Sequence, residues 1–155
     1  MPINADFRDL LSAFNEGRVR CLVVGAYAVI HHTEPRYTKD LDLWIERHPA
    51  NARRVLASLQ RFGAPTRGIT EADLCNPELV YQIGIEPNRI DILMDLPGLD
   101  FGTAWRRARR TTYGGVRIRV LSLEDLIVSK RRAGRPQDLL DVQHLLRSRR
   151  HRRHK

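Results

Sequence analysis

Residues 22–46 read LVVGAYAVIHHTEPRYTKDLDLWIE, and the pattern of this stretch decides the fold. An apolar run ends at Gly25, a segment with helical character follows, and a polar turn then leads into TKDLDLWI. Side chains alternate between the two faces of a strand. The second run therefore places Asp40 and Asp42 side by side on one strand face, with Cα atoms about 6.5 Å apart. Adjacent carboxylates are poorly suited to a core but well suited to holding divalent cations.

Length, composition and charge indicate a folded domain with an anionic partner. The 155 residues are 42% hydrophobic, which is sufficient for one domain with its own core. We expect neither a membrane span nor a signal peptide, and the two unpatterned cysteines, Cys21 and Cys75, suit a reducing cytoplasm. The net charge of +9 and a pI near 10.5 favour nucleic acid or nucleotides as partners.

Much of the basic charge lies at the C-terminal end. Residues 147–155 read RSRRHRRHK and carry six of the 27 Lys and Arg side chains and no acid. We therefore predict a domain over residues 1–146 and a flexible basic tail over residues 147–155. A solvated, disordered tail is favoured over a specific grip on RNA.

Hydrophobic periodicity and turn residues predict the other elements. Helices are expected over residues 4–15, 50–62, 70–74, 101–110 and 122–133 and from residue 136 onward, and strands over residues 18–24, 79–85, 89–94, 111–113 and 116–121. Asp91 interrupts the apolar run of residues 89–94. A lone acid in a strand often lies at an edge facing water, but its neighbours Ile90 and Ile92 favour a strand buried on one face.

Nearly all of residues 5–146 resembles the nucleotidyltransferase superfamily. The residues of the first half that carry the resemblance are Gly25, Ala26, Ala28, His32, Arg36, Thr38, Asp40 and Asp42. Later matching stretches are residues 68–73, 80–84, 88–93, 123–126 and 130–141. More narrowly, the chain resembles bacterial proteins grouped with the minimal and AbiEii-type enzymes, including DUF6036. It departs from many relatives at Thr33 and Glu34, where they have Gly followed by a neutral or basic residue.

The resemblance implies an α+β, polymerase-beta-like fold, with a mixed central sheet flanked by helices and a C-terminal helical pair. It also implies transfer of a nucleotidyl group from an NTP to a hydroxyl with loss of pyrophosphate, dependent on Mg²⁺ or Mn²⁺. Asp40, Asp42 and Asp91 are then the catalytic and metal-binding residues. The nucleotide-binding residues that it implies are Gly25, Ala26, Arg36, Thr38 and Lys130, the first two through backbone N–H groups at a helix start.

Structural roles are open for several of these residues. Arg36 is either a phosphate ligand or the salt-bridge partner of a nearby carboxylate, and Lys130 is either a phosphate ligand or a solvated helix residue. Asp138 and Asp141, one helical turn apart, are interpreted as a packing anchor rather than metal ligands. Residues 31–32, both His, are interpreted as helix-end residues because the implied chemistry needs no imidazole.

Two other functions compete with the transferase hypothesis. A catalytically silent nucleotide- or partner-binding module would have no need to keep carboxylates that repel one another. A charge-driven RNA-binding protein is disfavoured because no recognised RNA- or DNA-reading motif occurs. The acceptor is left open among a tRNA end, a partner protein and a small molecule such as an aminoglycoside, as is a place in a toxin–antitoxin pair.

Overall fold

The computed structural model describes residues 3–34, 38–84 and 88–153. The α-helices in these residues are α1 (Ala5–Glu16), α2 (Gly25–His32), α3 (Pro49–Phe62), α4 (Phe101–Arg107), α5 (Leu123–Ala133) and α6 (Pro136–Arg153). The helix predicted over residues 70–74 is instead a single 3-10 turn, Asp73–Cys75. The strands are β1 (Cys21–Val24), β2 (Asp40–Ile45), β3 (Val80–Ile83), β4 (Arg89–Leu93), β5 (Arg109–Tyr113) and β6 (Val116–Val120). The predicted α+β fold is confirmed. Every described helix is too short or too polar to cross a bilayer.

The described strands form one mixed sheet in the order β3-β4-β2-β1-β6-β5. β2 lies between β1, to which it is antiparallel, and β4, to which it is parallel. β6 is parallel to β1, and the edge strands β3 and β5 pair antiparallel with their neighbours. Leu22, Leu43 and Ile92 are fully buried on the three central strands. The acidic residues of β2 and β4 therefore lie on interior strands of the sheet, not on edge strands.

Local sequence signals account for several helix ends. The Asn4 side chain accepts hydrogen bonds from two backbone N–H groups of the first turn of α1, and the Ser122 side chain accepts one from Asp125 at the start of α5. Gly63 ends α3 in the left-handed conformation, with φ 93°. These three ends agree with the sequence-based expectations.

The helix predicted over residues 101–110 is too long. α4 ends at Arg107, and Arg109 already begins β5. All five residues of β5 pair with β6, from Arg109 opposite Val120 to Tyr113 opposite Val116. Pairing with a distant strand thus overrides the helical pattern of the segment. The strand predicted over residues 18–24 is correspondingly shorter, since β1 begins at Cys21.

The basic C-terminal segment continues α6 rather than leaving it at residue 147. The helix runs to Arg153, so the predicted boundary after residue 146 falls inside it. The Ser148 hydroxyl donates to the backbone carbonyl of His32. The Arg149 guanidinium lies 2.8 Å from the Glu124 carboxylate. The described part of the basic segment therefore has contacts with α2 and α5.

His32 fixes the end of α2 to the segment that follows β6. Its side chain is buried, and Nε2 lies 2.8 Å from the carbonyl oxygen of Leu121, a contact that requires the proton on Nε2. Burial lowers the pKa of His32 to about 4, although the hydrogen bond to Leu121 acts in the opposite direction. The unfolded side chain titrates near 6.5. Between these two values the unfolded state binds more protons, so the protein loses stability as the pH falls.

We expect this group to remove up to about 3 kcal/mol of the free energy of unfolding between about pH 7 and pH 4. His32→Gln keeps an N–H donor for Leu121 and cannot become charged. Its free energy of unfolding should therefore be lower than that of the wild type at neutral pH but should fall less steeply with acid. Urea unfolding of both proteins across this range measures the difference. Parallel pH profiles would show that another group titrates.

Candidate active site

The start of α2 is packed against an acidic side chain of β2. Gly25 follows directly after β1 and has φ 65°, in the left-handed region. A Cβ atom at this position would lie 2.0 Å from Oδ2 of Asp42. Glycine is therefore required at this position for two reasons, its backbone conformation and the close approach of the carboxylate.

The register of the sheet brings the predicted carboxylates together. In the parallel pairing of β2 with β4, Asp42 lies opposite Asp91 and Asp40 lies opposite Arg89. Asp40 and Asp42 are two residues apart, so all three acids lie on the same face. Asp91 is only 8% exposed, and β4 is an interior strand. The alternative of an edge acid facing water is therefore wrong.

Arg89 neutralises part of this carboxylate cluster, and sequence reasoning missed it. Its Nε lies 2.8 Å from Oδ1 of Asp91, its Nη2 lies 3.1 Å from Oδ2 of the same carboxylate, and its Nη2 lies 3.6 Å from Oδ2 of Asp40. The signal was present in the sequence, because Arg89 precedes Asp91 by two residues and therefore shares its strand face. Arg36, the alternative salt-bridge partner suggested by the sequence, lies outside the described residues.

The electrostatics of the cluster favour binding of a further cation. Burial, and after it the charges of Asp91 and Asp40, raise the pKa of Asp42 to about 6, while Lys130 and Arg89 act in the opposite direction. Oδ1 of Asp40 is buried without a hydrogen-bond partner in the described structure. Three carboxylates supply the hard oxygen donors that Mg²⁺ and Mn²⁺ prefer. The residues present thus fit a divalent cation in charge and donor type.

The carboxylates do not form a closed coordination shell as they stand. Among the residues described, no three or more His, Cys, Asp or Glu side chains are arranged so that they could hold a metal ion. The ion pairs of Arg89 with Asp40 and Asp91 supply positive charge in this part of the site. Cation binding would therefore require these ion pairs to change.

A cavity of about 550 Å³ opens beside Asp42. The predicted nucleotide-binding residues that line it are Gly25, Ala26, Thr38 and Lys130. Asp40 and Asp91 are not part of its lining; Asp91 lies directly opposite Asp42 on the adjacent strand. The structure thus assembles one wall from the start of α2 and another from α5 and α6, which are far apart in the sequence.

Lys130 is held in place by two buried carboxylates of α6. Its Nζ lies 3.3 Å from Oδ1 of Asp138 and 3.3 Å from Oδ2 of Asp141, and its side chain is only 12% exposed. The interpretation of Lys130 as a solvated helix residue is therefore wrong. The interpretation of Asp138 and Asp141 as an anchor of the C-terminal helices agrees with these contacts.

Arg135 is a second cavity residue that sequence reasoning missed. Its Nε lies 2.7 Å from Oδ2 of Asp138, yet 76% of its side chain is exposed. The hydrogen bond and the charge of Asp138, followed by the charge of Asp42, raise the pKa of Arg135. It follows Lys130 by five residues, inside the block that carries the family resemblance, so its position in the sequence was informative.

The sequence matches the family described as "Nucleotidyltransferase of unknown function (DUF6036)" over residues 3–148. The chain therefore belongs to this family of nucleotidyltransferases, and the resemblance to nucleotidyltransferases and to DUF6036 is confirmed. The grouping with AbiEii-type enzymes stays a prediction. No curated protein matches the sequence.

Solved nucleotidyltransferases share the fold. The antibiotic-resistance factor ANT(2'')-Ia aligns with a TM-score of 0.63 and 13% identity over 92% of this chain and 82% of that one. The lincosamide antibiotic adenylyltransferase LnuA, solved with lincomycin bound, aligns with a TM-score of 0.58 and 15% identity over 94% of this chain and 98% of that one. A second ANT(2'')-Ia structure, in complex with adenylyl-2''-tobramycin, aligns with a TM-score of 0.59 and 14% identity over 92% of this chain and 86% of that one. The chain therefore has the polymerase-beta-like fold.

Gly25→Ala tests the contact between α2 and Asp42. We expect a loss of stability of at least about 2 kcal/mol, because the new Cβ combines a left-handed backbone with overlap of the carboxylate. Gly63→Ala is a matched control, since Gly63 is also left-handed but a Cβ atom there would meet no atom within 4 Å. Chemical denaturation of both variants should show the larger loss for Gly25→Ala.

A double-mutant cycle tests whether the Asp42 carboxylate causes the larger loss of stability in Gly25→Ala. In an Asp42→Ala background, the excess cost of Gly25→Ala over Gly63→Ala should fall, because Oδ2 and Cγ are removed and only the Cβ of residue 42 remains, 3.0 Å from the new Cβ. An excess that is undiminished without the Asp42 carboxylate would contradict the contact.

Proposed function

We propose that the chain transfers a nucleotidyl group from a nucleoside triphosphate to a hydroxyl acceptor in a reaction that depends on a divalent cation. The observation that carries the proposal is the position of Asp42 directly opposite Asp91, beside a cavity with Lys130 and Arg135 in its wall. An NTP is a polyanion, whereas the acceptor hydroxyl must lose a proton. A site that combines basic walls with buried carboxylates meets both requirements.

In the proposed reaction, the acceptor oxygen forms a bond to the α-phosphorus. The bond from that phosphorus to the oxygen bridging the α and β phosphates breaks, and pyrophosphate leaves with the electron pair. Asp91 is the proposed acceptor of the hydroxyl proton. Asp40, Asp42 and Asp91 are the proposed ligands of Mg²⁺ or Mn²⁺. The bound cations would screen phosphate charge and lower the pKa of the attacking hydroxyl.

The triphosphate is proposed to lie between α2 and the α5–α6 pair. Gly25 and Ala26 line the cavity at a helix start, where partial positive charge favours phosphate, and their backbone N–H groups are the proposed phosphate donors. Lys130 supplies a point charge positioned by Asp138 and Asp141. Arg135 adds an exposed guanidinium, and Thr38 and Arg36 are retained as proposed nucleotide ligands on the strength of the family pattern.

A small molecule with a hydroxyl group is the acceptor class to test first. ANT(2'')-Ia was solved with adenylyl-2''-tobramycin and LnuA with lincomycin, and both share the fold of this chain. A tRNA end and a partner protein are alternative acceptors. A cytoplasmic location and membership of a toxin–antitoxin pair stay predictions from composition and resemblance.

Labelled NTPs test the proposed reaction directly. The protein is incubated with each α-labelled NTP, Mg²⁺ or Mn²⁺, and separate pools of aminoglycosides, lincosamides, cell RNA and cell proteins. We expect one pool to become labelled. Asp91→Asn should reduce the rate at least about a hundredfold, because it removes the base and a cation ligand, whereas Asp9→Asn on the exposed face of α1 should not.

The silent-module hypothesis gives a different result in the same assay. A wild-type protein whose melting temperature rises with NTP and metal, but which labels no pool, would be a nucleotide-binding module without transferase activity. Indifference to every NTP and metal would exclude the proposed site as well.

Removal of Arg89 should strengthen divalent-cation binding. The guanidinium binds the same carboxylates that are proposed as ligands, so Arg89→Ala should lower the Kd for Mn²⁺ several-fold, as measured by calorimetry without nucleotide. Arg53→Ala, which removes an exposed ion pair with Glu71, is the control. Weaker Mn²⁺ binding in Arg89→Ala would instead mean that Arg89 orients the carboxylates for the cation.

A further inference from the structure

A second and larger cavity, of about 770 Å³, lies at the opposite end of β1 from Gly25. β1 and β6 share a single register pair, Val23 with Val120, and residues of both strands line this gap in the sheet pairing. α1 contributes Leu11 and Asn15 to the lining of the gap. We call this gap the arginine cleft, after the residues of that type that line it: Arg18, Arg20, Arg110, Arg117 and Arg119.

The sheet register concentrates positive charge in the arginine cleft. Arg110 lies directly opposite Arg119 in the antiparallel pairing of β5 with β6. Arg117 shares a strand face with Arg119. Like charges in direct cross-strand register are destabilising. The fold therefore maintains an arrangement that costs free energy in the absence of an anion.

Acidic partners among the described residues do not balance this charge. Among the described residues, Glu46 is the one acid that forms an ion pair with any of the five arginines, at 3.4 Å from Nε of Arg20. Burial, followed by the charges of Arg110 and Arg20, lowers the pKa of Arg119. Within the described residues, the balancing negative charge is therefore left to solvent ions or to a ligand.

The Trp105 ring contacts two of the guanidiniums and restricts their positions. The guanidinium carbons of Arg119 and Arg20 lie 3.9 Å and 4.6 Å from the centroid of the Trp105 ring. Trp105 stacks on Phe101, with 5.9 Å between ring centroids, and Phe101 packs edge-on against Trp44 in the core. These contacts reduce the conformational entropy that the arginines would lose on binding a ligand.

We propose that the arginine cleft binds a single-stranded nucleic acid through its phosphodiester backbone. Guanidinium groups match phosphate oxygens in a bidentate geometry. Five of them along two walls exceed what one phosphate group can engage and suit several consecutive phosphates. A cavity of about 770 Å³ accommodates a short segment of one strand rather than a duplex. Guanidiniums already cover Trp105, so backbone contacts rather than base stacking would dominate.

The basic surface extends beyond the arginine cleft towards the end of α6. Arg109 of β5 and Arg152 of α6 both lie close enough to His31 for their charges to lower its pKa, after the larger effect of burial. A strand leaving the cleft across β5 would thus meet the basic end of α6. The proposal does not depend on the transferase reaction, because the arginine cleft and the cavity beside Asp42 have no arginine in common.

Charge reversal with a matched control tests the proposal. Arg110→Glu/Arg117→Glu changes two exposed arginines of the cleft, and Arg54→Glu/Arg67→Glu changes two exposed arginines elsewhere by the same net charge. Binding of a labelled, mixed-sequence single-stranded RNA is measured by fluorescence anisotropy over a range of salt. We expect the cleft variant to raise the Kd at least about tenfold and to reduce the salt slope by about 1.4, since each phosphate that is no longer neutralised lowers the slope by about 0.7. The control should change the Kd less than about threefold.

Three further arms make the outcome decisive. Equal losses of RNA affinity in the two variants would attribute binding to net charge and overturn the proposal. Displacement of the RNA by inorganic phosphate at constant ionic strength would also overturn it. Equal binding of a duplex would overturn it as well. Single-stranded DNA of the same sequence is tested in parallel. Binding of the RNA or of the DNA supports the proposal, and the tighter of the two identifies the kind of nucleic acid that the cleft prefers. Arg110→Gln/Arg117→Gln should reproduce the direction of the loss if the Glu variant fails to fold. Metal-dependent NTP binding, measured by thermal shift, should be unchanged in the Gln variant.

Discussion

The contact between the Asp42 carboxylate and the backbone at Gly25 is the constraint on which the site depends. It requires β1 to end where α2 begins and places Val24 opposite Asp42 in the antiparallel pair. The parallel pairing of β2 with β4 then brings Asp91 beside the same carboxylate. Packing a charged group here raises its pKa, so the arrangement costs stability that the surrounding apolar core and nearby cations must offset. A protein that maintains such an arrangement without a ligand or a reaction would carry this cost without a compensating benefit.

The two cavities differ in how far ion pairs within the protein neutralise their charged side chains. Beside Asp42, internal ion pairs involving Arg89 and Lys130 bring cations to the buried carboxylates. In the arginine cleft, one of the five guanidiniums, that of Arg20, forms an ion pair with an acid in the described structure, Glu46. The first arrangement is only partly neutralised by its own cations and needs an exchange of partners to accept a further one. The second has an excess of one sign, so an incoming anion gains attraction without breaking an existing ion pair. We therefore expect the binding of polyanions to be fast and strongly salt-dependent.

The sequence predicted what depends on neighbours along the chain. Strand alternation placed Asp40 and Asp42 on one face, and turn and cap residues located the ends of several helices. Asp91 was identified as the third acid through family resemblance. The ion pair of Arg89 with Asp91 was missed although their spacing places them on one strand face, whereas the ion pair of Arg89 with Asp40 depends on which strands pair and in what register. The arginines of β5 were assigned to a helix for the same reason, since their strand exists only through pairing with β6. Sequence periodicity carries no information on such distant pairings.

The basic end of the chain shows why charge and structure cannot be separated by deletion. A run of arginines at a terminus is typical of a solvated tail, yet α6 continues through it and Ser148 donates to the backbone of His32 at the end of α2. The opposite end of α2 begins at Gly25, against Asp42. α2 therefore links the last turns of α6 to the proposed triphosphate site across only eight residues. Removal of the segment after residue 146 would delete positive charge and also remove a support of α2, so a loss of NTP binding in that variant would have two explanations. Substitution of exposed arginines, with Ser148 retained, changes the charge alone and separates the electrostatic contribution of α6 from its packing contribution.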